Sequence, residues 1–384
     1  MPYPEALEYM EQQIFITGGT GMVGRELVSL LFKNTQARIS LLVHEKGLGS
    51  DKETILQSIF SLQNKKEFTE RLQIVKGDIT KPNMGIESHP EYNELLDKTT
   101  HILHCAASTR FDLPIDEARR INVIGTKNVA DFSLKCSDLT QFGFISTAYV
   151  SGKRTGSIKE SELEHDAGFV NTYEQSKYEA EMFLKELAKS VPVSVYRLST
   201  VIGDSKTGKV SHFTAPHQAI RMMYLGLASM LPGTPSYSVD LISSDYTAGT
   251  LFALFWENFS PHKTFHITHG SRSLTLQEII NESFKSMEEA DSSWMEKNYP
   301  KPAIVSEEAF DLFMNSAVSA NNPILKNVLT ALNHFAHQLL YPKNFSKDNL
   351  LVVIPNYERD LPEIRDYYRK VIDYCIKSKW GKIQ

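Results

Sequence analysis

The sequence predicts an α/β protein in which a doubly wound parallel sheet is followed by a smaller, mostly helical lobe. Through the first half of the chain, short apolar runs alternate with amphipathic stretches that have helical spacing. These runs are nearly continuous in hydrophobicity, which is typical of parallel strands that helices cover on both faces. A glycine-rich turn follows the first run, and the alternation stops near residue 200. Strands joined by crossover helices in this way indicate a Rossmann-type sheet.

Six apolar runs in the first half are predicted strands, and four other stretches are predicted helices. The runs are rich in Ile, Val, Leu and Phe, and they cover residues 13–17, 38–43, 72–78, 101–107, 142–147 and 193–199. In the helical stretches, apolar positions recur three and four residues apart, as on the buried face of a helix. These stretches cover residues 24–33, 51–69, 118–135 and 172–189.

A different pattern after residue 200 predicts a second lobe. Its predicted elements are a polar loop at 204–213, an apolar helix at 221–233, a strand near 263–268 that completes the sheet, a capped helix at 273–284 and mostly helical chain at 305–340. We assign residues 1–203, with that late strand, to the Rossmann-type sheet domain. Residues 204–384 are then a substrate-binding lobe that packs against it.

Composition and charge narrow the classes of function. With 41% apolar and 23% charged residues, the 384-residue chain can bury a large core. A net charge of −5 gives no reason to expect a nucleic-acid partner. The three cysteines are too scattered for a disulfide framework, and no apolar window reaches the ~20 residues of a membrane span. The N-terminus also lacks the basic and apolar regions of a signal peptide, so we expect a cytoplasmic protein.

A glycine-rich turn directly follows the first predicted strand. Its three glycines lie three residues apart at the start of an amphipathic helix. In dinucleotide-binding turns the first glycine allows a tight bend, the second lets the backbone approach a pyrophosphate, and the third lets the helix pack closely. Free N–H groups at the helix N-terminus then hold the phosphates. This context favours a dinucleotide site over a plain turn, with contacts expected from Gly18, Thr20, Gly21, Met22, Val23, Gly24 and Arg25.

The end of the second strand bears on the choice between NADP and NAD. An acidic residue there would hold the ribose hydroxyls of NAD, but this run ends in His44, Glu45 and Lys46. His44 and Arg25 can offer positive charge to a 2′-phosphate, whereas Glu45 opposes it, so we favour NADPH over NADH. Asp78 ends the third strand. Its carboxylate either accepts from the adenine amino group or caps a helix.

Two tyrosine–lysine pairs have the Y-x-x-x-K spacing of a proton-donor pair. Tyr173 and Lys177 lie in a strong helical pattern, where residues four apart share a face. Tyr149 and Lys153 instead straddle a Ser-Gly exit from a strand, which enforces no such alignment. The first pair is therefore the predicted catalytic pair.

The residue types around this pair suit hydride-transfer chemistry. The pKa of a free tyrosine is about 10, and a nearby ammonium favours the phenolate. We expect Lys177 to lower the pKa of Tyr173 and to hold the ribose of the cofactor. Thr147 lies at the carboxyl end of the fifth strand, where ligands bind in such sheets, and can hydrogen-bond the substrate oxygen. The adjacent Ser146 should point the opposite way.

The motifs occur in the order seen in extended short-chain dehydrogenases/reductases. TGGTGMVG, GDIT, HCAA, NVIGT, ISTAYVSG and YEQSK follow one another along the chain. More narrowly, ITGGTGMVGRELV, FISTAYVSG and VYRLSTVIGDSKTG resemble the thioester reductase and fatty acyl-CoA reductase branch, although that branch usually has arginine in place of His44. The resemblance is dense over residues 13–210. It implies NADPH-dependent reduction of an acyl thioester to an aldehyde, sometimes onward to an alcohol.

The resemblance also implies roles for individual residues. Thr147 and Tyr173 would stabilise the developing oxyanion, Tyr173 would supply a proton, and the hemithioacetal would collapse to thiol and aldehyde. Asn122 matches the NVxGT asparagine, which we interpret as structural, tying neighbouring strands together. The acyl group would arrive on coenzyme A or on a phosphopantetheinyl carrier protein from another chain. Further cofactor contacts are implied for His44, Asp78, Ile79, Ala106, Ala107, Tyr173, Lys177, Ser199 and Val201.

Several alternatives stay open beside this interpretation. An extended reductase acting on a nucleotide sugar or a sterol-like alcohol, as epimerase, dehydratase or dehydrogenase, would share the same catalytic residues. A non-catalytic NADP-binding regulator is disfavoured, because such proteins tend to lose the tyrosine or the lysine. His101 and His104 flank one strand without further ligands, so no metal site is expected. The methionine-rich residues 221–233 either belong to the core or line an acyl-chain pocket.

Overall fold

A seven-stranded parallel sheet forms the centre of the protein, in a computed structural model that describes residues 12–44, 59, 70–319 and 336–381. Numbered in chain order, its strands are β1 (Gln13–Thr17), β2 (Arg38–Val43), β3 (Leu72–Lys76), β4 (His101–His104), β5 (Gln141–Thr147), β7 (Val193–Leu198) and β12 (Thr264–Ile267). They lie in the order β12-β7-β5-β4-β1-β2-β3. All six strands predicted in the first half are present, and the strand predicted near 263–268 joins the sheet beside β7. The predicted fold class is confirmed.

Helices cover both faces of this sheet. On one face lie α1 (Met22–Asn34), α7 (Ser244–Phe252), α10 (Asp348–Val353) and α11 (Tyr357–Asp360), whose apolar side chains share one buried cluster with β1, β2 and β7. The other face is covered by α2 (His89–Lys98), α4 (Gly125–Ser133) and α5 (Thr172–Leu187). The segments at 244–252 and 348–360 therefore complete the layer on the first sheet face, although they follow residue 203.

The predicted helices of the first half are largely present. The helices expected at 24–33 and 172–189 correspond to α1 and α5. The stretch at 118–135 starts earlier, as α3 (Ile115–Arg119), and passes through a π-helical turn at Arg120–Ile124 before α4. The helix predicted at 51–69 lies outside the described residues except for residue 59.

Helix α5 has a clear start and a clear buried face. The Asn171 side chain accepts a hydrogen bond from the Glu174 backbone N–H at 3.0 Å, which caps the first turn. Ala180, Leu184 and Leu187 follow at helical spacing and are buried against the sheet. This face fixes which side of α5 points toward β5.

The second lobe combines helices with short strands. Its strand pairs are β8 (Thr200–Gly203) with β11 (Leu241–Ser243), β9 (Met230–Pro232) with β14 (Ala303–Val305), and β10 (Ser238–Val239) with β13 (Leu274–Thr275). Its helices are α6 (Ala215–Tyr224), α8 (Leu276–Ala290), α9 (Glu307–Ser319) and α12 (Ile364–Lys377). These elements enclose a separate apolar core. None of the described helices is both long and apolar enough to cross a bilayer.

Some predictions for this lobe hold and one is wrong. The capped helix expected at 273–284 is α8, and Thr275 and Glu278 form a reciprocal capping box at its start. The helix predicted at 221–233 is wrong: it starts earlier, ends at Tyr224, and gives way to a strand at 230–232. Gly226, with a φ of +69°, breaks the helical path. Of the chain at 305–340, residues 320–335 lie outside the described part.

A late segment of the chain returns to the sheet domain. Strand β15 (Lys343–Phe345) pairs in parallel with β6 (Gly156–Ile158). The buried Glu160 carboxylate accepts backbone N–H groups of His266 at 2.9 Å, Leu350 at 3.3 Å and Asn349. One side chain thus joins its own segment to two distant ones.

Candidate active site

The glycine turn packs too tightly for other residues. Gly18 has a φ of +71°, and a Cβ there would lie 2.4 Å from the Ala106 backbone nitrogen. A Cβ on Gly24 would lie 2.3 Å from the Gly18 carbonyl oxygen. Gly21 is the N-cap of α1 and supplies no side-chain hydrogen bond to the first turn. The N–H groups of that turn are therefore oriented to receive an anion, which fits a dinucleotide phosphate.

The Arg25 side chain, on α1, hydrogen-bonds the backbone of this turn. Its Nη2 donates to the Thr20 carbonyl oxygen at 3.0 Å. Its Nε is buried and has no hydrogen-bond partner among the described residues. Burial lowers the pKa of Arg25, and the neighbouring Glu26 carboxylate opposes that shift. One N–H of a half-buried guanidinium thus has no protein partner among the described residues, which fits an anionic group nearby.

Asp78 forms a turn rather than capping an α-helix. Its Oδ1 accepts the Thr80 backbone N–H at 2.9 Å and the Thr80 hydroxyl at 2.8 Å, and no α-helix begins there. Its Oδ2 lies 3.5 Å from His44 Nε2. Burial raises the pKa of Asp78, but the Thr80 hydrogen bonds and the charges of His44 and Lys81 hold it below its ordinary value. Asp78 and His44 therefore lie side by side where β3 and β2 end.

The other predicted cofactor residues follow the carboxyl ends of neighbouring strands. The Ala106 backbone N–H donates to the Thr17 hydroxyl at 3.3 Å, which ties the chain after β4 to β1. Ile79 packs where Gly125 has no side chain, and its carbonyl oxygen accepts from Asn128 at 2.6 Å. The remaining four, Met22, Val23, Ala107 and Val201, are partly buried.

The three predicted catalytic residues come together at the end of β5. The Tyr173 phenol hydrogen-bonds the Thr147 hydroxyl. One turn later on α5, the Lys177 ammonium donates to the Ile145 carbonyl oxygen at 2.8 Å and lies 3.9 Å from the centre of the Phe144 ring. The spacing of four residues along α5 therefore places phenol and ammonium against one strand.

Burial controls the proton equilibria of this pair. It raises the pKa of Tyr173 to about 12, although the Thr147 hydrogen bond opposes the shift. Burial also lowers the pKa of Lys177 to about 7, against the opposing charge of Glu181. The expectation that Lys177 lowers the pKa of Tyr173 is therefore wrong for this structure, because desolvation of the phenol outweighs charge effects. At neutral pH the phenol is protonated and can act as a donor.

A polar cluster holds the loop after β4 against α5. Asn122 lies in the π-helical turn, a deviation that often accompanies functional sites. Its side chain accepts the Ser108 N–H at 2.8 Å, donates to the Ser108 carbonyl oxygen at 3.1 Å, and donates to the Ser176 hydroxyl at 2.9 Å. These bonds fit the structural role predicted for Asn122, although they join a loop to a helix rather than two strands.

Two residues near the catalytic set have different environments. The Ser199 hydroxyl, just after β7, is buried and has no partner among the described residues. The Tyr149 phenol meets the Thr200 hydroxyl at 3.1 Å, whereas Lys153 lies 5.8 Å from the Tyr341 ring. The second Y-x-x-x-K pair therefore has separate partners, as its position at a strand exit predicted.

His104, at the end of β4, forms hydrogen bonds within the sheet domain. His104 contacts the Thr17 hydroxyl at 2.6 Å and the Thr126 hydroxyl at 3.1 Å, and burial lowers its pKa to about 3. It is therefore neutral and links β1, β4 and α4. Within the described residues, only Glu307, Asp311 and His337 could jointly hold a metal ion, and they lie in the second lobe.

One large cavity of the described chain lies away from the candidate catalytic residues. It measures about 850 Å³ and lies between residues 160–164, the second half of α5, and the strands β7 and β12. Glu181 and Arg197 line it, but Tyr173 and Thr147 do not. We therefore locate the candidate active site from the contacts of Tyr173, Thr147 and Lys177 and not from cavity volume.

The sequence analysis missed several residues around the site. The Phe111 ring lies 5.6 Å from the Tyr173 ring. Glu181 of α5 and Arg197 of β7 form a buried ion pair. Available signals were a glutamate four residues after Lys177 and an arginine inside an apolar strand, since such charges are rarely buried without a partner.

Comparison with known proteins identifies the family. The Male sterility protein family, an NAD-binding family, matches residues 16–251, which is more than half of the chain. The chain belongs to the Male sterility protein family. Its predicted place among extended short-chain dehydrogenases/reductases, in the thioester reductase and fatty acyl-CoA reductase branch, is confirmed. At this level the match also confirms an oxidoreductase and supports a nicotinamide cofactor.

Relatives of this Male sterility family member differ widely in length. Fatty acyl-CoA reductase wat of Drosophila melanogaster is 25% identical over 66% of this chain and 56% of its own length. A linear gramicidin synthase from Brevibacillus parabrevis is 24% identical over 96% of this chain and 7% of its own length. The terminal R domain of the myxalamid PKS-NRPS pathway has the same fold, with a TM-score of 0.79 and 22% identity over 98% of this chain and 93% of that domain. The chain thus spans little more than half of the curated fatty acyl-CoA reductase.

Proposed function

We propose that this protein reduces an acyl thioester to an aldehyde with NADPH. The observation that carries the proposal is the meeting of the Tyr173 phenol, the Thr147 hydroxyl and the Lys177 ammonium at the end of β5. The fatty acyl-CoA reductases among the relatives support acyl thioesters as the substrate class. The acyl group would arrive on coenzyme A or on a phosphopantetheinyl carrier protein from another chain, in the cytoplasm.

The polar groups at the site suit the proposed reaction. A bound nicotinamide would supply hydride to the thioester carbonyl carbon. Tyr173 and Thr147 would donate hydrogen bonds to the oxygen as negative charge develops there. Since the pKa of Tyr173 is about 12, its phenol is protonated at neutral pH and can pass a proton to that oxygen. The resulting hemithioacetal loses its carbon–sulfur bond, and thiol and aldehyde leave.

The residues present fit the cofactor. The glycine turn and the uncapped start of α1 would hold the pyrophosphate, and Lys177 would donate to the ribose. The unpartnered Ser199 hydroxyl would hydrogen-bond the nicotinamide carboxamide. We favour NADPH because His44 and Arg25 can offer positive charge to a 2′-phosphate, although Asp78 lies 3.5 Å from His44.

The test is NADPH oxidation, followed by absorbance, with a panel of acyl-CoAs and with NADH in parallel. Tyr173→Phe removes the proposed proton donor and should abolish thioester-dependent turnover while NADPH binding persists. Tyr178→Phe is the matched control, because Tyr178 lies on the same helix but packs against His165 and Phe169. Its turnover should equal that of the wild type.

The outcomes separate the remaining alternatives. One NADPH consumed per thiol released indicates an aldehyde product, and two indicate an alcohol. If no acyl-CoA causes NADPH oxidation, the same assay is repeated with a carrier-protein thioester. If that also fails while NADPH still binds, a nucleotide sugar or an alcohol replaces the thioester as the leading substrate class.

A further inference from the structure

Three successive turns of α5 are bonded to three consecutive residues of β5. Tyr173, Lys177 and Glu181 lie four residues apart and therefore share one face of the helix. On the strand side they meet residues 145–147: the phenol meets a hydroxyl, the ammonium a carbonyl oxygen, and the carboxylate a second hydroxyl. The first two contacts belong to the catalytic set. The third has no role in the proposed chemistry.

Glu181 makes this third contact with both of its oxygens engaged. Its Oε1 accepts the Ser146 hydroxyl. Arg197 of β7 donates from Nε at 3.0 and 3.1 Å and from Nη2 at 2.8 Å. The side chains of Glu181 and Arg197 are each only 2% exposed. Arg197 is itself held by the Glu162 carbonyl oxygen at 2.8 Å. The carboxylate thus ties α5 to two neighbouring strands.

This bonding restricts the helix in a way that apolar packing does not. The contacts of Ala180 and Leu184 favour burial of one face, but burial is not directional and allows small rotations or slides. Charge-assisted hydrogen bonds fix distance and angle. A bond one turn after Lys177 therefore limits how far the Tyr173–Lys177 face can turn away from β5.

We propose that Glu181 is a positioning residue. Through Ser146 and Arg197 it holds α5 against β5, and its negative charge favours the protonated, ammonium form of Lys177. This inference rests on the proposed function of the site. The charged or titratable groups that face Lys177 are Glu181 on the same helix and His104 and Cys105 at the end of β4, whereas β5 offers the Phe144 ring and the Ile145 carbonyl.

The direction of the charge effect follows from these neighbours. Burial lowers the pKa of Lys177 to about 7, and Glu181 opposes that shift. Removing the negative charge should lower the pKa of Lys177 further. The ammonium donates a stronger hydrogen bond to a ribose hydroxyl than the neutral amine does, so NADPH binding should weaken as pH rises through this pKa. In Glu181→Gln that weakening should begin at a lower pH.

The experiment measures NADPH affinity by fluorescence titration from pH 5.5 to 9, without acyl thioester, and then the pH dependence of kcat. In Glu181→Gln the alkaline limb of NADPH binding should move down by roughly one pH unit. Glu179→Gln is the matched control: Glu179 lies on α5 like Glu181, but its ion pair of 2.7 Å is to Arg119 of α3 and lies outside the contacts to β5. Its limb should stay in place.

A second variant, Ser146→Ala, keeps the proposal testable if Glu181→Gln does not fold. Ser146→Ala removes the contact to β5 but keeps the ion pair, so kcat should fall severalfold while the alkaline limb stays put. Three results would each overturn the proposal. They are an alkaline limb of NADPH binding that does not shift in Glu181→Gln, a wild type that shows no alkaline limb, and an unchanged kcat in Ser146→Ala. A wild type that binds NADPH with the expected limb but reduces no thioester would refute the proposed substrate and leave the role of Glu181 supported.

Discussion

Replacing Lys177 with methionine should change the pH dependence of stability in a predictable direction. Burial lowers the pKa of Lys177 from its ordinary 10.5 to about 7. In the unfolded chain the ordinary value returns, so between these values the unfolded chain binds more protons than the folded one. Lys177 therefore costs stability, fully below pH 7, and the cost declines as pH rises toward 10.5. Methionine carries no such cost.

The size of this effect follows from the pKa values. Each pH unit of difference corresponds to about 1.4 kcal/mol, so the cost is about 5 kcal/mol below pH 7 and about 2 kcal/mol at pH 9. Lys177 is only 2% exposed, so solvent screening removes little of it. Lost contacts to Ile145 and Phe144 shift the variant by a similar amount at both pH values. The free energy of unfolding of Lys177→Met relative to wild type should therefore fall by about 2–3 kcal/mol from pH 6 to pH 9.

Urea unfolding of the cofactor-free protein at both pH values gives this difference directly. Lys185→Met is the matched control, because Lys185 lies on the same helix with a side chain that is 56% exposed. Its stability relative to wild type should not depend on pH in this window. A difference for Lys177→Met that is equally constant would refute the reasoning, since it would mean that burial does not perturb this lysine. Turnover by Lys177→Met should be lost in either case.

Two further substitutions test the glycine turn and the second lobe. Gly24→Ala places a methyl group 2.3 Å from the Gly18 carbonyl oxygen, so it should destabilise the protein by about 1–3 kcal/mol and weaken NADPH binding by about tenfold or more. Gly249→Ala, a helical position with open space, is its control, and equal NADPH titrations would contradict the prediction. Met223→Trp should fill an apolar cavity of about 40 Å³ in the second lobe. If that cavity receives the acyl tail, kcat/KM should fall more for long acyl-CoAs than for short ones. An equal loss at all lengths would assign Met223 to the core alone.

The central sheet could be predicted because its signals are local. Each strand is an apolar run with a helical stretch beside it, and the glycine turn identifies the edge where ligands bind. The short strands of the second lobe could not be predicted in this way. Strand β10 has two residues and β9 has three, too few to show a period. The wrong helix at 221–233 has the same cause, because apolar composition alone does not separate a helix end from a following strand.

The grouping of the candidate catalytic residues could be predicted from the sequence, but their proton equilibria could not. Spacing on a helix is a local property, and it predicted that Tyr173 and Lys177 share one face of α5. In the structure that face meets β5, with Tyr173 against Thr147 and Lys177 against the Ile145 carbonyl oxygen. The pKa of each group depends on how much water the folded chain removes, which no local pattern encodes. The partnership of Glu181 with Arg197 joins α5 to β7 across the fold and is invisible for the same reason.

The bonds of Glu160 have a consequence for the order of events during synthesis. This carboxylate, 3% exposed, accepts the N–H of a residue 189 positions later, and β6 beside it pairs with the equally late β15. The Phe345 ring in β15 lies 6.0 Å from the ring of Tyr149, whose backbone N–H donates to the candidate catalytic Thr147. Contacts so distant along the chain form slowly, and on a ribosome they cannot form until both partners have emerged. A nascent chain can therefore fold its first parallel strands early. The packing of β15 against β6 and Tyr149 must wait until residues 343–350 have left the ribosome.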